Sequence, residues 1–296
     1  MNHTQPVNGN LRSIYAMLIA VAMFSLMDTA MKLLSQHYPA VQVAALRALS
    51  SLPLMIGYVA WRGAFRNIFK VRWSLQVLRG VLGIAMLGMF AFGLKNLSLA
   101  EAYTIFFIAP ALITALSVVF LKETVDAPRW IAIAVGLAGV LVVLRPTGAG
   151  MLTLGGLAIL GSAVAYAVSA IAARILARTD RPEHVMFWLI LMIAAGASLI
   201  AAPNWVTVRF SDAWLLIGLA VSGFLGQIAI TEAFSSGEAS SVAPFEYSAL
   251  AWGVAIDWLL WQALPDEYTL LGAAIIIGSG IYLIRHERVH VESEHP

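Results

Sequence analysis

The 296-residue chain contains no cysteine, which excludes disulfides, thiolate metal sites and iron–sulfur clusters. Charge is also scarce. Only 11% of residues are charged, 18 Lys and Arg against 16 Asp and Glu, where a soluble domain carries about a quarter. A net charge of +2 leaves no basic surface large enough for nucleic acid. The histidines His3, His37, His184, His286, His290 and His295 fall in loops, tails or helix ends, so no membrane-embedded HExxH metal site or bis-His haem site is expected. There is no GxSxG nucleophile elbow and no GxxxxGK[ST] phosphate loop, and no extramembrane stretch is long enough for an ATP-binding domain. These absences argue against an enzyme, a cofactor, a metal or an ATP-driven pump.

What the chain has is apolar sequence, 60% of it, with a mean hydropathy of +0.85. A membrane helix needs about 20 residues, so this content fills about nine or ten spans. Ten apolar segments are read at 13–35, 40–61, 74–94, 101–121, 128–145, 154–176, 184–202, 213–234, 239–261 and 268–285. None alternates as a strand does, so the expected fold is an all-α integral membrane bundle rather than a barrel. The hydrophilic Met1–Arg12 stretch is expected to be a tail, and the long run after it a retained first span rather than a cleaved signal.

Basic residues set the orientation. With the amino terminus inside, the cytoplasmic segments hold Arg12, Arg62, Arg66, Lys70, Arg72, Lys122, Arg129, Arg174, Arg178, Arg181, Arg285 and Arg288, and the opposite side holds Lys95, Arg145 and Arg209. This bias places both termini in the cytoplasm. Eight tryptophans (Trp61, Trp73, Trp130, Trp188, Trp205, Trp214, Trp258 and Trp261) sit near span ends as belt anchors, whereas Trp252 is mid-span and either packs or faces a cavity.

Ten spans divide into two fives. A shift of 137 lays residues 93–102 on 230–239, with Glu101-Ala102 on Glu238-Ala239. Near a shift of 142, Phe24 and Lys32 fall on Tyr166 and Arg174, and near 141, Gly139-Val140-Leu141 falls on Gly280-Ile281-Tyr282. Matches in this order suggest duplication. Five being odd, the second copy crosses the membrane in the opposite sense, giving an inverted repeat with one substrate site near the midplane. The expected organisation is a tail at 1–12, repeats at 13–146 and 153–285, and a tail at 286–296.

Interrupted helices at corresponding positions of two halves point to a transport site. Pro110 and Pro244 occupy such positions in the fourth and ninth segments and are expected to kink them, either around a ligand or merely for packing. Charges within the membrane are functional candidates by default. Asp28 lies one turn from Lys32 and at the depth of Arg47, so it either pairs structurally with one of them or faces a solute. Arg79, about one turn into the third span, is expected to snorkel to the cytoplasmic surface. Glu101, Glu232 and Glu238 are expected to be solvated. Glu246, two residues after Pro244, has no basic neighbour in sequence and must be protonated, bonded to another helix or exposed to water. Tyr103, Phe106, Phe107, Tyr166 and Gln227 are further candidates for a cavity wall. The pairs Gly80 and Gly83, Gly136 and Gly139, and Gly278 and Gly280 are expected to permit close helix approach.

The run Leu121-Lys122-Glu123-Thr124 before Gly136-Leu137-Ala138-Gly139, the run Ala243-Pro244-Phe245-Glu246-Tyr247, the stretch Pro265–Ala274 and Ser279-Gly280-Ile281-Tyr282 together resemble EamA-type transporters of the drug/metabolite transporter superfamily. Phe24-Ser25-Leu26-Met27-Asp28 with Lys32 and Arg47 is similar as well. The resemblance covers nearly the whole chain. It implies a ten-helix bacterial inner-membrane secondary carrier, often an exporter of amino acids or related metabolites, and favours Asp28, Tyr166, Glu246, Tyr247 and Trp252 as cavity residues. Where the family often has an acidic residue after Gly at the end of the ninth helix, this chain has Gln262-Ala263, and no role transfers there. The expected partners are therefore a small-molecule substrate, an amino acid or metabolite, and the lipid bilayer. A multidrug exporter and an uptake carrier for a cofactor such as S-adenosylmethionine are the alternatives within transport. An intramembrane enzyme and a non-transporting membrane assembly factor are the alternatives outside it.

Overall fold

A backbone crossing lipid must satisfy its own N–H and C=O groups, and helices do so segment by segment. The computed structural model describes residues 8–34, 37–96, 105–144, 153–262 and 267–294, and among these there is no strand. In chain order the helices are α1 (Asn8–Leu34), α2 (Ala40–Trp61), α3 (Trp73–Asn96), α4 (Ala109–Leu116), α5 (Ala127–Leu144), α6 (Leu154–Leu176), α7 (Pro182–Ala201), α8 (Ala213–Ser236), α9 (Ser248–Trp261) and α10 (Glu267–Glu294). Six of them, α1 to α3 and α6 to α8, are long and apolar enough to cross a membrane, and shorter apolar helices lie at Ala109–Leu121, Ala127–Val142 and Leu270–Tyr282.

Local sequence explains the boundaries. Pro182 opens α7, where its missing N–H has no intrahelical acceptor to lose. Thr153 caps α6, its hydroxyl accepting the Gly156 N–H at 3.2 Å. The expected fourth span is the least regular. Residues 97–104 lie outside the described residues, α4 starts at Ala109, and its last turn widens into a π-helix over Ser117–Leu121 closed by Lys122 in the left-handed region at φ 58°. The ninth is broken as well: a short helix, Ala239–Val242, passes into a 3₁₀ turn over Ala243–Tyr247 before α9 begins. The last helix runs past the expected 285 to Glu294. Replacing Thr153 with Ala should cost about 1 kcal/mol through the lost cap, readable as lowered thermal stability of the purified protein.

The exterior is apolar and the interior is built from small residues. Ile19, Val119, Leu199, Ile217 and Leu259 stand more than half exposed, while Ala163, Ala167 and Ala170 of α6 are buried. That inversion suits a bundle bathed in lipid, where helix association depends on close packing rather than on exclusion of water. The main helix pairs are α1 with α8, α3 with α6, α2 with α7 and α5 with α10. Of the glycines read as contact points, Gly83 meets Ile193 and Gly139 meets the Gly272 carbonyl, so a Cβ would stand 3.0 Å from either. Gly80 and Gly136 are as tight, against Met192 and Tyr247. Gly278 has nothing within 4 Å and Gly280 makes only an ordinary contact with Phe245. The α5–α10 contact runs through Gly272 and Ile276, and leaves Gly278 outside it.

Polar groups gather at the helix ends. At one end Asp180 accepts the Arg72 N–H at 3.1 Å and Gln76 Nε2 at 3.3 Å, Arg62 pairs with Glu183 at 2.8 Å, and Trp188 Nε1 donates to the Ile68 carbonyl at 2.8 Å. Glu232 and Glu238, expected to be solvated, are instead ion-paired with Arg12 at 2.8 Å and Arg129 at 2.5 Å. Glu101 lies outside the described residues. At the other end Tyr38 donates to Asp212 Oδ2 at 2.6 Å, and the Gln42 amide bonds both backbone polar groups of Val206. Between these ends, Ser162 of α6 and Ser279 of α10 donate across helix contacts to the Met86 and Ala132 carbonyls at 3.0 and 2.9 Å, and charged side chains line a central cavity.

Candidate functional site

Helical spacing turns one stripe of each surrounding helix toward a central cavity of about 300 Å³. From α1 come Met17, Val21, Phe24, Ser25 and Asp28, from α3 Arg79, Gly83 and Met86, and from α8 Gln227, Ile230, Thr231 and Phe234. Positions i, i+4 and i+7 lie on one face of a helix, so each set is a single stripe. Tyr166, Ser169 and Ala173 of α6, Leu189 and Ile193 of α7, Arg47 of α2, and Phe106, Phe107, Ala109 and Pro110 also line it. A smaller recess on the Arg47 side, about 60 Å³, shares Met86, Leu189, Ile193 and Gln227 with it.

Glu246 enters this space because of the broken helix before α9. In the 3₁₀ turn successive residues rotate by about 120°, so Phe245 and Tyr247 point into packed core, at 3% and 1% exposure, while Glu246 remains partly exposed in the cavity. Tyr166 Oη donates to Glu246 Oε1 at 2.9 Å. The Tyr166 ring is itself held by Phe106, with ring centroids 5.7 Å apart, and Phe106 packs edge-on against Phe90 at 5.5 Å. The carboxylate is therefore aimed by a phenol whose ring rests on Phe106, itself backed by Phe90.

Asp28 lies in the middle of the bundle yet remains solvent-accessible, because its side chain opens on the cavity. Among the described residues no ion pair within 4 Å joins it to Arg47. Arg47 instead stacks its guanidinium carbon 5.8 Å from the Phe24 ring centroid, a cation–π contact. Gln227 Nε2 donates to Thr231 Oγ1 at 3.3 Å, leaving the Gln227 carbonyl free to accept from a guest.

The cavity thus gathers Asp28, Phe107, Tyr166, Gln227 and Glu246 of the residues singled out from the sequence, together with Phe106 and Pro110. Tyr103 lies outside the described residues. Tyr247 is off the cavity, packed on Gly136 and stacked beside Phe107 at 6.0 Å. Trp252 is 44% exposed and not part of the cavity wall. At Pro110 the chain does not kink within a helix: the residue stands in the first turn of α4, preceded by a turn at 107–108. Pro244 does interrupt a helix, in the 3₁₀ turn that presents Glu246.

Arg79 is the main correction. Expected to snorkel outward, it is 5% exposed and faces the cavity, because the first turn of α7 offers the Val185 carbonyl, which accepts from Nη1 at 3.2 Å. Ser169 and Thr231 were also missed, since small hydroxyl residues are common in membrane helices without contacting any ligand.

Comparison with known proteins agrees in kind. The chain is 26% identical to a riboflavin transporter of Vibrio cholerae over 92% of both chains, and 27% identical to a pseudopaline exporter of Pseudomonas aeruginosa over 90% of this chain and 93% of that one. It is also 27% identical to an S-adenosylmethionine uptake transporter of Rickettsia conorii over 94% of both. A solved crystal structure shares the fold, with a TM-score of 0.81 at 20% identity over 96% of this chain and 98% of that chain. The model of the EamA-like transporter family matches residues 11–145 and again 153–285, and the chain belongs to that family.

Proposed function

We propose that the protein is a secondary transporter that exports small polar organic solutes, amino acids or related metabolites, across the bacterial inner membrane with both termini in the cytoplasm. In this reading residues 13–146 and 153–285 are two five-span repeats inserted in opposite senses, and rocking of one against the other alternates access to the central cavity. The observation that carries it is the cavity itself. Four charged side chains, Asp28, Arg47, Arg79 and Glu246, converge on one space inside the bundle, with walls from both halves. Such groups are costly in a membrane interior and persist where water and solute reach them.

The helix pairing supports the two-fold relation. If α1 to α5 correspond to α6 to α10, exchanging the halves turns the α1–α8 pair into α6–α3, maps α2–α7 and α5–α10 onto themselves, and turns α1–α9 into α6–α4. All of these pairs are present. The close contacts follow the same rule: Gly83 on Ile193 has its counterpart in Gly223 on Ser51, the glycines being 140 residues apart and the partners 142. A half that can adopt its partner's conformation is the requirement for switching between inward-open and outward-open states.

Uptake of a cofactor is the second reading, favoured by the relatives named for S-adenosylmethionine and riboflavin transport. Flux through liposomes containing the purified protein separates the two. With a panel of amino acids, S-adenosylmethionine and riboflavin, each with and without a pH gradient, the first reading expects an amino acid or close relative to cross faster than in protein-free liposomes. Transport of S-adenosylmethionine or riboflavin alone supports the second, and no flux of any solute under any gradient contradicts both.

A further inference from the structure

The cavity holds charge of both signs. Its acidic groups come from α1 (Asp28) and from the turn before α9 (Glu246), elements that pack on each other, and its basic groups come from α2 (Arg47) and α3 (Arg79), which also pack on each other. The two basic groups are not equivalent. Arg47 spends its cationic face on the Phe24 ring. Arg79 has five N–H donors in a planar fork; among the described residues only Nη1 is bonded, to the Val185 carbonyl, and Nε is buried with no partner. Among the described residues no carboxylate lies within ion-pair distance of it. A buried cation with unfilled donors is costly unless something completes it.

We infer that Arg79 is the specificity residue for an oxyanion on the transported solute, a carboxylate first of all, and that the solute is a small zwitterion whose cationic group lies toward Asp28 and Glu246. This rests on the cavity being the transport site, as proposed above. The guanidinium fork matches two carboxylate oxygens, and about 300 Å³ is at the small end of ligand pockets, ~300–1,000 Å³, suited to a solute of amino-acid size. Neutral solutes leave Arg79 unsatisfied, and cations without an acid group leave it unsatisfied and repelled.

The test uses matched pairs of probes on the purified full-length protein in liposomes: L-leucine, L-methionine and L-phenylalanine against isoamylamine, 3-(methylthio)propylamine and phenethylamine, and S-adenosylmethionine against its decarboxylated form. A phosphorylated pair, phosphoethanolamine against ethanolamine, distinguishes carboxylate from phosphate as the oxyanion. Wild type should favour at least one acid over its decarboxylated partner by about tenfold or more, the worth of a charge-assisted hydrogen bond. Arg79→Gln should abolish that preference and Arg79→Lys should retain part of it, a pattern that a merely structural role for Arg79 would not produce. Preference for phosphoethanolamine alone keeps Arg79 as the oxyanion site and replaces the carboxylate with a phosphate. No pair being discriminated by wild type, or undiminished discrimination in Arg79→Gln, overturns the inference. If decarboxylated or neutral solutes are transported as well as acids, the assignment of Arg79 fails while the transport reading stands; absence of all flux removes both.

Discussion

Replacing Glu246 with Gln is expected to lower transport of the preferred solute by at least about tenfold while leaving the protein folded and monodisperse. The amide keeps the shape of the carboxyl and can still accept from the Tyr166 hydroxyl, now 2.9 Å from Oε1, but it cannot receive a cationic group with charge assistance, so a bond worth about 1.5–3 kcal/mol falls to one worth about 0.5–1.5. Tyr166→Phe should act in the same direction and less, since it removes a bond of about 0.5–1.5 kcal/mol and keeps the ring that Phe106 supports. Initial rates in liposomes check both variants, and solute-independent thermal melting checks their folding. Unchanged transport of every solute by Glu246→Gln would remove that residue from the site.

Gly139→Leu is expected to give the largest loss of stability of any single change considered. At Gly139 even a Cβ would stand 3.0 Å from the Gly272 carbonyl oxygen and 2.8 Å from Ile276 Cγ1. The first of these is backbone and cannot rotate away, so α5 and α10 must separate, and overpacking of this kind costs about 3 kcal/mol. That corresponds to a drop in melting temperature on the order of 6–10 °C. Gly278→Leu supplies the control, because Gly278 faces open space, and a surface substitution there should stay within about 0.5 kcal/mol. Helix propensity favours Leu over Gly at both positions, so equal losses at the two would mean that the α5–α10 contact does not explain the effect.

Much of the fold is legible in the sequence because lipid leaves the backbone few options: a long apolar run without alternation becomes a helix. The break before α9 is legible for a related reason, since Pro244 cannot donate within a helix and so marks where Glu246 is turned inward. What the sequence hides is rotation about the helix axis. A membrane helix is apolar nearly all round, so nothing in the local pattern fixes which side of α9 faces inward, and Trp252 at mid-depth ends 44% exposed and off the cavity wall. Tyr247 illustrates the same point at closer range. It follows Glu246 directly, but one step of a 3₁₀ turn swings it away onto Gly136. Arg79 was read by depth alone, and depth suggested a snorkelling side chain. Its direction depends on a carbonyl of α7 more than a hundred residues later, which no local pattern displays.

The absence of native cysteine makes one measurement especially direct. Ser169 lines the cavity from α6, and Ser169→Cys exchanges one small polar side chain for another while creating the single thiol of the chain. In membrane vesicles of defined orientation, a membrane-impermeant maleimide should label this thiol when added to either face, and a transported solute should slow labelling from both. A thiol that reacts from neither face, or from one face under every gradient and solute condition, would contradict a central chamber that opens alternately to the two sides of the membrane.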